Sequence, residues 1–307
     1  MSDSIILAFA AFLIALVGTR LVIFRLRKRS APDIRAIMGK ARAPALEGGG
    51  FAVMFALVIC LLGAQADYTL IFSIFLLAGV AMLQGFCAVP RWAELLAQII
   101  AVAVPIAILK PLFGIGLPSL LDHILAGGLW LLLIRLYTDS ENIEGITAIH
   151  MVAIGLGLCM IIVLGEQFPD ALSTQALILA GAGFGALWWS WPPAKILLGS
   201  IGNAPAGLVC GYVLLGAIQA GYGAPAAILS AYIISEGLAP ARFRVRASQA
   251  QKEPFARYVA GAHMLLVLLA VLSSLDASMA LFNVASAYAM IVLFLWFFAY
   301  KSGKQLL

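Results

Sequence analysis

Long runs of apolar residues, broken by short polar turns, fill this chain from one end to the other. Eleven such segments stand out, at roughly 4–24, 49–65, 68–88, 95–112, 118–136, 146–165, 174–190, 204–220, 223–239, 258–275 and 278–300. Runs of about 17 to 25 apolar residues are the length a helix needs to cross a hydrocarbon core. Lipid offers the backbone no hydrogen bonds, so each run is expected to satisfy its own by coiling into a helix. The pattern predicts an all-α integral membrane protein, a polytopic bundle of about eleven transmembrane helices. Residues 1–307 form a single membrane domain in this reading, because no polar stretch is long enough to build a separate soluble one.

Composition agrees: 64% of the residues are hydrophobic and only 11% charged, and the mean hydropathy is +1.06. The apolar run near Met1 lacks a basic flank and a small-residue cleavage site, so it reads as a retained first helix. The lysines and arginines give the bundle a direction. Arg25, Arg27, Lys28, Arg29, Arg35, Lys40 and Arg42 follow the first segment, and Arg242, Arg244, Arg246, Lys252 and Arg257 follow the ninth. Arg91, Lys195, Lys301 and Lys304 have the same parity, whereas the opposite connections hold Lys110 beside Asp3, Asp67, Glu166, Asp170 and Asp276. The basic side is therefore expected to be cytoplasmic, with the N-terminus outside and the C-terminus inside. The net charge of +5 suits anionic lipid headgroups and calls for no nucleic acid. Cys60, Cys87, Cys159 and Cys210 show no C-x-x-C spacing and read as small buried hydrophobes. Trp188, Trp189 and Trp191 suit an interfacial belt.

The polar connections on the basic side carry the candidate chemistry. Pro44-Ala45-Leu46-Glu47-Gly48-Gly49-Gly50 permits close backbone approach at a helix start. Gln84-Gly85 ends the third segment. The stretch Arg135 to Thr147 contains Asp139, Glu141 and Glu144, and the spacing of the two glutamates suits one helical face. Trp191-Pro192-Pro193-Ala194-Lys195-Ile196-Leu197-Leu198-Gly199-Ser200-Ile201-Gly202-Asn203 joins a Pro-Pro turn, a lysine and two glycines. Glu236-Gly237-Leu238-Ala239-Pro240-Ala241-Arg242-Phe243-Arg244 leads into Lys252-Glu253-Pro254-Phe255-Ala256-Arg257-Tyr258.

Taken in order, these five stretches resemble the motifs of the polyprenyl-phosphate N-acetylhexosamine-1-phosphate transferases, over roughly residues 40 to 260. The Pro-Pro loop is the closest match. The resemblance implies a multi-pass enzyme of the bacterial inner (plasma) membrane, serving cell-envelope polysaccharide synthesis. Such an enzyme moves a sugar-1-phosphate from a UDP-sugar to polyprenyl phosphate with Mg²⁺ or Mn²⁺. By that correspondence Glu141, Glu144 and Glu236 are the candidate catalytic acids, and Glu141, Glu144 and Ser200 the candidate metal ligands. Gly48, Gly49, Gly50, Lys195, Gly199, Gly202, Asn203, Arg242, Arg244 and Arg257 are the candidate substrate-binding residues.

The chain also departs from the family pattern. Gln84-Gly85 stands in place of an aspartate pair, Ser200 in place of the loop aspartate, and Glu47 in place of an arginine. Tyr258 and Gly261 stand in place of histidines. His263 lies nearby but out of register and reads as a satisfied helix histidine; His123 and His150 receive no role. Two readings stay open: a divergent transferase with a reworked acidic set, or an inactive homologue. The second would bind lipid or nucleotide, or scaffold an envelope-synthesis complex. A third, a transporter, is disfavoured because nearly all charges sit in loops. The sequence leaves open the sugar, the lipid carrier, and whether the chain pairs with itself or with envelope-synthesis proteins.

Overall fold

A computed structural model describes residues 2–29, 45–109, 111–112, 118–139, 144–164, 170–239 and 252–304. Among them are eleven α-helices: α1 (Ser2–Arg29), α2 (Gly50–Gly63), α3 (Tyr68–Gln84), α4 (Arg91–Ile106), α5 (Ser119–Asp139), α6 (Ile146–Leu164), α7 (Asp170–Ser190), α8 (Ser200–Gln219), α9 (Gly223–Leu238), α10 (Lys252–Leu275) and α11 (Ala280–Lys304). A 3₁₀ turn spans Ala277–Met279, and two two-residue strands complete the set, β1 (Leu46–Glu47) and β2 (Ile196–Leu197).

Seven of these helices, α1, α5, α6, α7, α8, α10 and α11, are long and apolar enough to cross a membrane. The chain is thus an α-helical, multi-pass membrane protein. Helices α2, α3 and α9 are apolar but shorter, at 14, 17 and 16 residues. At 1.5 Å per residue they reach about 21 to 26 Å, less than a typical hydrocarbon core.

Exposure follows from lipid acting as the solvent. Phe9 (61% exposed), Phe55 (61%) and Leu281 (85%) turn outward, as apolar side chains do toward acyl chains rather than water. Helix α8 is the axis of the bundle, with 83% of its apolar window buried, against 17% for α1 and for α11. Against α8 pack α2, α3 and α5. Trp130 of α5 is fully buried there and donates its indole N–H to the Leu208 carbonyl at 2.9 Å. A side chain at Gly211 would collide with that indole, so glycine is what lets the ring lie against α8.

Helix α1 docks on α7, far away in sequence. Gly181 and Gly185 make the contact: a Cβ at either would fall 2.2 Å from the Ala8 carbonyl oxygen or 2.6 Å from that of Phe12. Small residues four apart let two membrane helices touch backbone to backbone. The Trp189 indole donates to the Leu16 carbonyl at 2.9 Å and the Ser4 and Thr174 hydroxyls lie 2.8 Å apart, so the interface is pinned near both ends.

Candidate functional site

Three of the motif-bearing stretches, at 46–50, 191–203 and 144–147, meet at one end of the bundle. Strand β1 lies parallel to β2, pairing Leu46 with Ile196 and Glu47 with Leu197. The ladder continues into the following glycines. Gly49 N–H donates to the Leu197 carbonyl and Gly50 N–H to the Leu198 carbonyl, both at 2.9 Å. Gly48 (φ 121°) and Gly199 (φ 70°) turn the two chains out of this pairing into α2 and α8. The helix starts then touch. A Cβ on Gly50 would lie 2.3 Å from the Gly202 nitrogen, which places two helix N-termini against one another. Glycine at residues 49, 50 and 202 is therefore a packing requirement first.

The Pro-Pro loop is held from the other side by the start of α6. The Pro192–Pro193 bond is cis. Ala194 N–H donates to the Glu144 carboxylate at 2.9 Å, and Glu144 is buried. One turn on, the Thr147 hydroxyl donates to the Asn203 side-chain oxygen at 2.9 Å, with both residues buried. Lys195 is exposed, and its ammonium stands 4.8 Å from the centre of the Trp189 ring. Ser200 is half-buried at the start of α8.

A second polar group occupies the neighbouring ends of α3, α4 and α5. The Gln84 amide donates to one Glu94 carboxylate oxygen at 3.1 Å, and the Gln98 amide to the other at 3.2 Å. Arg135 lies 3.6 Å from Glu94 and, one turn along its own helix, 3.6 Å from Asp139. The guanidinium is half-exposed. It is a positive charge between two acids, one of which, Glu94, also takes the Gln84 amide.

Of the nominated residues, Gly48, Gly49, Gly50, Gly199, Gly202, Asn203, Lys195, Ser200 and Glu144 share one neighbourhood. Glu236 lies half-buried near the end of α9, one turn beyond Tyr232. Arg257 is exposed in the first turns of α10. Glu141, Arg242 and Arg244 lie outside the described residues. Sequence reasoning passed over Glu94, Gln98 and Arg135. The four-residue spacing of Arg135 and Asp139 was a readable ion-pair signal, but no local pattern ties Glu94 to either.

Glu144, Glu94, Asp139 and Ser200 are a poor fit to Mg²⁺ or Mn²⁺. Mg²⁺ is held by oxygens, chiefly carboxylates, in strict octahedral geometry. Glu144 is bound to a backbone amide, Glu94 to two amides and a guanidinium, and Asp139 to the same guanidinium. Ser200 offers only a neutral hydroxyl. Among the described residues no three acids, histidines or cysteines gather at metal-holding distances.

The chain matches no family model, and no curated protein gives a significant match to it.

Proposed function

We propose that this chain is built on the transferase architecture its motifs resemble but binds its phosphate-bearing ligand without the metal-dependent chemistry. In this reading it sits in the bacterial inner membrane, N-terminus outside and C-terminus in the cytoplasm, with the glycine and Pro-Pro loops facing the cytoplasm. The ligand is a UDP-sugar or polyprenyl phosphate, and the protein is a binding or scaffolding partner in envelope synthesis. One observation carries the reading: Glu144, Glu94 and Asp139 have partners within the protein. Glu144 holds the Pro-Pro loop through Ala194, and Arg135 sits between Glu94 and Asp139. The half-exposed Arg135 guanidinium has more N–H donors than its two acids take up, in a form suited to phosphate. Exposed Lys195 and the adjoining N-termini of α2 and α8 add to an anion-attracting surface.

The active-transferase reading has its own support. The glycine loop, the Pro-Pro loop and the start of α6 lie together, as a shared substrate site would require. Glu141, Glu144 and Glu236 would then be the acids to test.

Purified full-length protein in lipid nanodiscs separates the two. It is given UDP-N-acetylglucosamine and undecaprenyl phosphate, with Mn²⁺ or with EDTA, and both UMP release and nucleotide binding are measured. The proposal expects no UMP and the same binding in EDTA as in Mn²⁺. Mn²⁺-dependent UMP release that disappears in Glu141→Gln would establish the active enzyme instead.

A further inference from the structure

Two histidines that belong to no loop motif meet inside the bundle. His150 of α6, His263 of α10 and Tyr232 of α9 are buried at 2%, 3% and 0% exposure. The two imidazole centres are 4.7 Å apart, and the Tyr232 ring lies 4.7 Å from His263 and 5.6 Å from His150. Tyr137 of α5 meets the far edge of His150 at 5.4 Å.

The hydrogen bonding within this group is incomplete. His263 Nδ1 lies 2.8 Å from the Val259 carbonyl. A carbonyl can only accept, so Nδ1 carries the proton and neutral His263 presents Nε2 as an acceptor. That Nε2, both ring nitrogens of His150 and the Tyr232 hydroxyl make no hydrogen bond within the protein. Buried polar atoms nearly always have partners. Ionisable groups inside a membrane protein are expensive, and they mark function by default.

His263 also lines a groove of about 640 Å³ between α6, α7 and α10. Its walls are apolar, formed by Val152, Leu156 and Met160 of α6, Phe184 of α7, and Met264 and Leu268 of α10. Met264 and Leu268 are 74% and 53% exposed, so the groove opens sideways toward lipid. Among the described residues that line it, none is charged. Glu236 lies one turn beyond Tyr232 on α9.

We propose that the groove binds an uncharged lipid, an elongated apolar alcohol, whose hydroxyl reaches the cluster of His263, His150 and Tyr232. A hydroxyl both donates and accepts. It can donate to His263 Nε2 and accept from the imidazole of His150 or the phenol of Tyr232. A phosphate would find no cation among the described residues of the groove, and a plain hydrocarbon would leave the polar atoms unmatched. The volume lies within the range of ordinary ligand pockets. This inference does not depend on the function proposed for the loop end.

The test uses full-length protein in phosphatidylcholine nanodiscs and farnesol carrying a photoreactive diazirine. Cross-links are mapped by mass spectrometry and competed with unlabelled farnesol, farnesene or farnesyl phosphate. Saturable labelling of α6 and α10 is expected, with farnesene competing about tenfold or more weakly than farnesol. His263→Phe keeps the ring volume and should weaken farnesol by about tenfold. Ala260→Trp fills the groove and should abolish labelling, with thermal melts confirming that both variants fold. Equal competition by farnesene would reduce the groove to an apolar cleft and overturn the proposal. Stronger competition by farnesyl phosphate would assign it to an anionic lipid. Unchanged labelling of His263→Phe, or no saturable labelling at all, would also overturn it.

Discussion

Gly50→Ala is the sharpest probe of how the loop end is assembled. The added methyl would fall 2.3 Å from the Gly202 nitrogen, 2.4 Å from its Cα and 2.7 Å from the Leu198 carbonyl oxygen. All three are backbone atoms, so no side chain can rotate aside. The starts of α2 and α8 would have to part by about 1 Å to restore ordinary contact. That movement strains the bonds from Gly49 and Gly50 to Leu197 and Leu198. Overpacking costs about 1–3 kcal/mol, and a buried donor left unpaired about 1–3 kcal/mol more. A net loss of about 3 kcal/mol is expected. Gly79→Ala is the matched control, because nothing lies within 4 Å of a Cβ on that exposed helical residue. It should gain about 0.5–1 kcal/mol from helix propensity. Both variants are compared with the parent by SDS titration, followed by circular dichroism. If Gly50→Ala falls within about 0.5 kcal/mol of the parent, the backbone contact is not what holds this end together.

Four further outcomes follow from the same geometry. Glu144→Gln keeps an acceptor for Ala194 N–H and should melt close to the parent, whereas Glu144→Ala should lose about 1–3 kcal/mol; equal losses would mean that the carboxylate's charge is what matters. Thr147→Val and Asn203→Ala should be coupled by about 1 kcal/mol in a double-mutant cycle, and simple additivity would remove the bond between them. The parent should show no Mn²⁺ binding by electron paramagnetic resonance, and Arg135→Gln should create it by releasing Glu94 and Asp139. Because Arg135 is half-exposed, its removal should cost no more than about 1 kcal/mol of stability. Trp130→Phe removes the second donor to the Leu208 carbonyl, which keeps its helical N–H, and should destabilise the bundle by about 0.5–1.5 kcal/mol in the same titration.

Periodicity and length made the helices legible, because lipid leaves a long apolar run little choice of conformation. Their ends were less so. Helix α1 runs on through its basic residues to Arg29, since helix hydrogen bonding does not stop where apolarity does. The approach of Gly48–Gly50 to Gly199–Gly202 joins chain segments about 150 residues apart, and nothing local encodes it. A buried loop-holding role for Glu144 was equally hidden, because its partner is a backbone amide that every residue type shares. His263 was expected to be satisfied on its own helix, and Val259 does satisfy Nδ1. Its neighbours His150 and Tyr232 come from two other helices, so the cluster exists only once the bundle has packed.

The docking of α1 on α7 sets a timetable for synthesis. The Leu16 carbonyl and the Trp189 indole that bind one another are 173 residues apart in the chain. At about 5–20 residues per second, roughly 10 to 35 s separate the emergence of the first helix from that of its main partner. Through that interval α1 can lean on α2, which follows it closely in the chain, while the face that receives Gly181 and Gly185 has only lipid or a helper protein against it. Substitutions at Gly181 or Gly185 would therefore be felt as an orphaned first helix, exposed to quality-control proteases, before they were felt as a loss of stability in the finished protein.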